Sequence, residues 1–362
     1  MPTPPIHGVP TSITAFADFF PQGPVNQPTP VASFTQFLKL FGPLDLRSEA
    51  SFHVQQFFLN GGTAALILNT GAVPLSAASL TPLQQPGLFN LLCLPATANL
   101  PAAPMLAVMQ AAQTLCQANR AFYLADVPPS SVVATPGAVQ SWFTTSNLNL
   151  SSYSALYYPR LTLPNPLGNG KPHEIGVSGT AAGIYARMDK NRGISHAPAG
   201  LEATFVGGAT PVFAVEDITN GTLNTLGINA IRTFPCKGTL LWGSRTTRGA
   251  DAFADEYKYI PVRRLALFIE SSVITSLLWT AVEPDTETLW AAIRSAVSNF
   301  LLTLFRMGSF QGSMPSQAFF VKCDASTTTQ QDVLANRVNI HIGFAPLRPA
   351  EFVILKITLP TG

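Results

Sequence analysis

Residues 337–344 read Arg337-Val338-Asn339-Ile340-His341-Ile342-Gly343-Phe344, and residues 351–359 read Glu351-Phe352-Val353-Ile354-Leu355-Lys356-Ile357-Thr358-Leu359. The first run alternates strictly, with Val338, Ile340, Ile342 and Phe344 on one face, and predicts a half-buried strand. Between the two runs Pro346 and Pro349 cannot donate to a ladder and break the pairing. The second run, taken as a strand over 350–359, is apolar on both faces. Such a strand wants cover on both sides and neighbours on both edges. It is either a central strand of the chain's own sheet or a strand lent to another subunit through Glu351, Phe352, Val353, Ile354, Leu355, Lys356 and Ile357, where main-chain hydrogen bonds supply much of the grip.

The rest of the chain bears on that choice. It has 362 residues, of which 11% are charged and 47% hydrophobic, with 31 prolines and a net charge of +2. An average globular protein is roughly 25% charged. A long chain this poor in charge is expected to hide much of its surface against other chains. The small net charge argues against a polyanion-binding field and so against nucleic acid as a partner. Cys93, Cys116, Cys236 and Cys323 form no CxxC pair, so no zinc or redox motif is expected, and buried free thiols in a reducing compartment are. No basic-then-apolar leader opens the chain. The stretch 265–282 is long and apolar, but it carries Glu270 and several hydroxyl residues and follows Arg263-Arg264. It reads as a buried core helix rather than a membrane span.

In order, the chain reads as an extended proline-rich lead-in, a strand at 12–16, a helix capped by Ser33, a helix at 48–59 and a strand at 64–68. From about Gly71, strands at 89–94, 121–125 and 154–158 alternate with helical patterns at 101–118 and 136–143, which argues a parallel α/β layer. A helix at 175–191 follows, then strands at 230–234 and 238–243, a polar turn and a short strand at 257–261. A long helix starts at Pro284-Asp285, with Asp285 expected as N-cap, and carries Leu289, Trp290, Ile293, Val297, Phe300, Leu301 and Leu304 in one stripe. Strand 318–323, a polar loop at 324–331 and the two terminal strands end the chain. The expected fold class is α+β. Residues 1–71 and 173–362 form a discontinuous core with terminal arms, and 72–172 form an inserted α/β domain.

No catalytic constellation emerges. Gly168-Asn169-Gly170-Lys171-Pro172 lacks the spacing of a phosphate loop, and Gly176-Val177-Ser178-Gly179-Thr180 has Thr where a nucleophile elbow needs glycine. His173-Glu174 has no second His at zinc-ligand spacing. Neither an enzyme, a cofactor nor a metal is therefore expected. The stretch 232–264 is basic, with acidic residues interleaved. It is either a solvated mixed-charge face or a source of inter-subunit or tube-facing ion pairs. Arg232, Arg245, Arg263, Arg264 and the nearby Glu270 are the candidates for the second role.

A series of short motifs resembles the contractile sheath proteins of phage tails and related contractile injection systems. In order, these are Gly8-Val9-Pro10-Thr11-Ser12, Gly23-Pro24-Val25-Asn26, Phe57-Phe58-Leu59-Asn60-Gly61-Gly62, Gly183-Ile184-Tyr185-Ala186-Arg187 and Asn229-Ala230-Ile231-Arg232. Arg263-Arg264-Leu265, Glu283-Pro284, Phe319-Phe320-Val321-Lys322-Cys323-Asp324 and the segment 345–352 follow. The likeness is weakest over 72–172, as expected of an outward-facing domain. It implies a structural subunit that stacks as six-fold rings around an inner tube. The N-terminal arm and the C-terminal strand add to neighbours' sheets, and the sheath shortens to drive the tube through a target envelope. The energy is stored at assembly, without nucleotide. The implied partners are neighbouring subunits, the inner tube protein, and baseplate and cap proteins, without membrane insertion. The implied setting is assembly in the bacterial cytoplasm into a phage tail or injection particle. Family members carry an acidic, aromatic arm before the segment equivalent to Gly8, where this sequence has Met1 to His7. A non-contractile coat or filament protein is the alternative. Deleting 351–362 is expected to leave a folded chain that does not assemble.

Overall fold

The computed structural model describes residues 4–71, 74–146, 148, 150–164, 166–168, 171–347 and 353–361. Contacts divide the chain into two compact units: one of residues 10–192 and 197–263, the other of 1–9, 193–196 and 264–362. The fold is a mixed α/β one.

The larger unit is built on short, mostly apolar strands, with polar residues at their ends. β1 (Thr14–Asp18), β3 (Ala65–Asn69), β4 (Leu91–Cys93), β5 (Phe122–Asp126) and β6 (Ser154–Tyr158) are buried throughout. Burial on both faces is what a parallel sheet covered by helices requires. With β2 (Thr29–Val31), β10 (Ile228–Phe234) and β11 (Gly238–Leu241) they form one sheet in the order β11-β10-β6-β5-β4-β1-β3-β2. The six inner strands run parallel, and β2 and β11 close the two edges antiparallel. Strands β4, β5 and β6, from the region read as an insertion, thus lie in the same sheet as β1, β3 and β10. Alternate strand residues point to opposite faces. One set, including Ala15, Leu66, Leu92, Tyr123 and Leu156, packs with Met105, Val108 and Ala112 of helix α3 (Ala102–Asn119). The other face takes α2 (Glu49–Leu59) and α5 (Ser178–Arg192), with Phe16 edge-on to Phe57 at 5.6 Å.

Local chemistry sets the helix starts. Ser33 and Ser48 accept the N–H of Gln36 and Ser51 and cap α1 (Phe34–Phe41) and α2, as their sequence positions predict. Thr135 does the same for α4 (Pro136–Thr145). Helix α6 (Asp217–Leu226) is closed by Gly227 at φ +90°. β7 (Leu161–Leu163), β8 (His173–Ile175) and β9 (Thr210–Pro211) form a small antiparallel sheet in the order β8-β7-β9. The short strand expected at 257–261 is a single bridge between Tyr259 and Arg245. Helix α7 (Ile260–Ser276) starts there, because Pro261 suits a first helical turn and cannot donate to a ladder.

The smaller unit holds most of α7 together with α8 (Glu287–Arg306), α9 (Pro315–Ala318), β12 (Phe319–Lys322), α10 (Gln330–Leu334), β13 (Arg337–Phe344) and β14 (Val353–Pro360). The N-cap of α8 is Thr286, not Asp285. Thr286 Oγ1 accepts the Leu289 N–H, while Asp285 accepts from the Trp290 indole at 2.5 Å. Helix α7 is mostly buried along its length but ends at Ser276. Residues 278–282 form a 3₁₀ turn that exposes Leu278 and Val282. Helix α8, like 260–282, is long and apolar enough to cross a membrane on those criteria. Of the stripe expected on α8, Leu289, Ile293, Val297, Phe300, Leu301 and Leu304 are buried, while Trp290 is only half-buried and gives its indole N–H to Asp285. Part of the loop expected at 324–331 is α10, started by a capping box in which Thr329 and Asp332 serve each other's N–H groups. Cys93, Cys116 and Cys323 are buried free thiols. Cys236 is exposed, at φ +62° in the β10–β11 hairpin, so burial does not hold for all four.

Candidate functional site: an open sheet edge

The sheet of the smaller unit has the order β12-β13-β14, all antiparallel. The face predicted for β13 is the face observed: Val338, Ile340, Ile342 and Phe344 are all fully buried. β14 differs from expectation. It is not apolar and buried on both faces, because its residues alternate. Leu355, Ile357 and Leu359 are 2–4% exposed and pair in register with Ile342, Ile340 and Val338. Ile354, at 49% exposed, Lys356 and Thr358 face outward. Glu351 and Phe352 lie outside the described residues.

The hydrogen-bond parity of β14 follows from its neighbours. An antiparallel strand sends the N–H and C=O of successive residues to opposite edges. Asn339 donates its N–H to Thr328 Oγ1 at 3.0 Å and Ala345 donates to the Ala318 carbonyl at 2.8 Å, so the odd residues of β13 turn away from β14. Thr361 donates to the Asn336 carbonyl at 2.8 Å, which turns the odd residues of the β14 segment toward β13. The even residues Ile354, Lys356 and Thr358 therefore carry their N–H and C=O groups on the other edge, where no strand pairs among the described residues. At one end of that edge Thr280 donates its hydroxyl to the Pro360 carbonyl at 3.0 Å, beside exposed Leu278 and Val282. A row of unpaired groups at strand spacing is a template for one more strand. His341, paired in register with Lys356, is held below the usual histidine range by burial and by the charges of Lys356 and Lys322.

Three of the charges singled out in the sequence, Arg232, Arg245 and Arg263, make contacts within the larger unit. Arg232 donates to the Val215 carbonyl, pairs with Asp217 at 2.7 Å and lies over the Phe234 ring at 4.8 Å. Arg245 pairs with Asp251 at 2.9 Å and donates to the Gly249 carbonyl. Arg263 lies between Tyr257 and Tyr153, 3.3 and 4.3 Å from their centroids, and donates to Ser152. Arg264 is buried and Glu270 half-buried, so none of the five stands out as a free surface charge.

Sequence reasoning missed a buried polar network in the larger unit. Glu49, His53, Gln56 and Asn60 recur at helical spacing along α2, and that stripe was its signal. Arg160 donates to Glu49 at 2.6 Å, pairs with Glu174 at 2.9 Å and donates to the Val127 carbonyl at 3.1 Å. Glu49 also accepts the Gly176 N–H at 3.0 Å and the Asn99 amide. Burial pushes Glu49 up, but Arg160, His53 and the Gly176 N–H outweigh it and hold the carboxyl at about 2. Asp126 accepts the N–H groups of Val177 and Ser178 at 2.6 and 2.8 Å, a carboxylate on the positive end of α5. Ser178, His53 and Glu49 follow one another like a nucleophile, base and acid. However, the Ser178 hydroxyl donates to Asp126 at 2.5 Å, and His53 Nδ1 accepts the Gly179 N–H at 3.0 Å. Ser178 and His53 are fully buried. The nearby cleft of about 380 Å³, lined by Arg160, His173 and Glu174 among others, touches neither. The network orders α2, α5, β5 and β8 and offers no nucleophile to solvent.

Burial raises Asp18, at the end of β1, to about 7, against the N–H bonds it accepts from Ala50 and Phe19. Its folded value exceeds its unfolded one, so the folded state holds the proton more tightly. Stability is complete below about pH 4 and falls as pH rises toward 7, by about 4 kcal/mol at roughly 1.4 kcal/mol per unit. Urea unfolding at pH 5 and 8 is expected to show about 2–3 kcal/mol of this loss, the rest falling below pH 5, and Asp18→Asn is expected to remove most of it. An equal loss in the variant would place the titration elsewhere.

Along its length the chain matches solved sheath structures. The sheath of the extracellular contractile injection system PVC, in its contracted state, is 26% identical, with TM-score 0.78 over 98% of this chain and 94% of that one. The chain resembles contractile sheath proteins throughout. The contracted helical sheath of the anti-feeding prophage is 28% identical, with TM-score 0.77 over 99% and 96% of the two chains. A sheath tail protein of Listeria innocua, at 9% identity and TM-score 0.66 over 98% and 96%, shares the fold. No family model and no curated protein matches the sequence. These neighbours are structural sheath proteins of contractile, phage-tail-like particles, so the sheath resemblance read from the motifs is upheld for this sheath-like chain.

Proposed function

We propose that this chain is a structural subunit of a contractile sheath, without catalytic activity. Copies stack as six-fold rings around an inner tube, with baseplate and cap proteins at the ends, and the assembly shortens to drive the tube through a target envelope. Assembly takes place in the bacterial cytoplasm. Residues 72–172 form the domain turned outward from the tube. The observation that carries the reading is the pairing of full-length likeness to contracted sheaths with the unpaired edge of β14. In the assembly, Glu351 to Ile357 belong to the strand exchanged between subunits, through main-chain bonds at that edge. Arg232, Arg245, Arg263, Arg264 and Glu270 are the candidates for inter-subunit or tube-facing ion pairs, in addition to that edge.

Deleting 351–362 is a blunt test of this reading, because β14 also covers β13 within the chain. Lys356→Pro is finer. It removes one outward N–H and leaves the ladder to β13 in place, since proline is tolerated on an edge whose N–H faces out. The expected variant folds with its melting temperature within a few degrees of wild type, yet gives no cylinders by negative-stain electron microscopy with the inner tube protein. Wild-type chain is expected to give hollow striated cylinders, wider and with shorter ring spacing without the tube. Cylinders of one fixed length and width in both samples would indicate a non-contractile coat. Normal cylinders from Lys356→Pro would refute joining through this edge.

A further inference from the structure

The segment before β1 is held in an unusual way. Residues 4–9 form no helix or strand and belong with α7 in the smaller unit, not with the strand that follows them in sequence. Three backbone groups fasten them, the first being the His7 carbonyl, which accepts from the Ser276 hydroxyl at 3.5 Å. His7 donates its N–H to Ser276 Oγ at 3.0 Å, and Val9 donates its N–H to Ser272 Oγ at 3.1 Å. The spacing explains the fit. Residues two apart in an extended chain are roughly 6.6 Å apart, and residues four apart on a helix are separated by about 6 Å along its axis. A Ser-x-x-x-Ser pair on one helical stripe therefore meets alternate N–H groups of an antiparallel extended segment. One turn earlier on that stripe, Phe268 lies against Gly8, where an added Cβ would sit 2.9 Å from the ring edge. Phe268 is itself backed by Phe300 of α8, with ring centroids 6.0 Å apart. Ile6 is the one deeply buried side chain of residues 4–9, at 8% exposure, while Pro4, Pro5, His7 and Gly8 are exposed.

We propose that the Phe268–Ser272–Ser276 stripe of α7 is a docking site for an extended segment of pattern Ile-x-Gly-Val. Its occupant, the chain's own residues 6–9, is a strap that detaches while the rest of the protein stays folded. The attachment is small: three neutral hydrogen bonds, one of them long at 3.5 Å, one aliphatic anchor and a glycine-to-ring contact. Each such bond is weak net of the water it replaces, and terminal segments open well below the free energy of global unfolding. Release frees residues 4–9, about 20 Å of chain at full extension, together with what precedes them, and uncovers Ser272, which is wholly buried when the strap is down. The inference stands on the strap's own contacts and does not require the sheath reading.

Site-resolved amide hydrogen exchange on the full chain tests it. The expected wild-type result is protection at His7 and Val9 at least tenfold above free peptide, yet at least a hundredfold below the core of α7 at Leu267. Ser272→Ala is expected to lower protection chiefly at Val9, and Ser276→Ala chiefly at His7. The double variant is expected to bring both amides near free-peptide rates with an unchanged melting temperature, since alanine favours the helix. Protection at His7 and Val9 equal to that at Leu267, or a double variant that unfolds, would overturn the separable strap. Protection unchanged in the double variant would overturn the serine clamp.

Discussion

Glu49→Ala is expected to destabilise the larger unit by about 3–5 kcal/mol, because it strands a buried cation. Arg160 is 3% exposed and sits 2.6 Å from Glu49. Without Glu49 it keeps Glu174, at its partly exposed end, and the Val127 carbonyl. The Gly176 N–H and the Asn99 amide lose their acceptor at the same time. The double variant Glu49→Leu/Arg160→Met is expected to recover much of the loss, since a buried ion pair often exchanges for apolar residues at little cost. Urea unfolding of the single and double variants decides the matter. Equal losses in both would mean that packing volume, not charge, is what Glu49 supplies. Glu49 also makes the fold sensitive to acid. Its folded carboxyl is depressed, so its contribution is complete above about pH 4.5 and is lost as pH falls toward 2.

Gly179→Ala is expected to be at least as damaging, by more than about 3 kcal/mol, with little folded protein recovered. A Cβ built at Gly179 lies 2.4 Å from the His53 carbonyl oxygen and 2.7 Å from its Cα. These are backbone atoms of α2 and cannot swing aside, so the whole α2–α5 contact must open, whereas ordinary overpacking typically costs 1–3 kcal/mol. Gly183 repeats the arrangement one turn on, with its Cβ position 2.4 Å from the Phe57 carbonyl oxygen. Gly221→Ala in α6 is the control. Nothing lies within 4 Å of its Cβ position, and the change is expected to add about 0.5–1 kcal/mol of stability. Far-ultraviolet circular dichroism and urea midpoints of the two variants separate the effects. A Gly179→Ala variant as stable as wild type would show that the helices separate without loss.

The sheath resemblance was legible because short motifs keep their order along the chain, and the comparisons uphold it. Local structure was legible where one residue sets it. Ser33 and Ser48 cap their helices, and Val338, Ile340, Ile342 and Phe344 lie on one buried face because strand periodicity admits no other arrangement. Neighbouring signals competed at Asp285 and Thr286. Both can cap a helix, and the Trp290 indole decided by taking Asp285 as its acceptor.

What the sequence by itself determined was therefore the type and order of most elements and the apolar face of each, because these rest on period and on groups a few residues apart. Tertiary structure alone decided which strands are neighbours, since β4, β5 and β6 are apolar on both faces and would suit a separate sheet as well as the shared one. It also decided that Arg263 belongs between two tyrosines, that Glu49 and Arg160, 111 positions apart, neutralise each other, and that β14 turns Ile354, Lys356 and Thr358 to an open edge. The strength of a charge depends on the dielectric and the partners around it, and the direction of an N–H on a strand depends on which neighbour takes the alternate bonds. Neither is a property of a residue and its near neighbours in sequence.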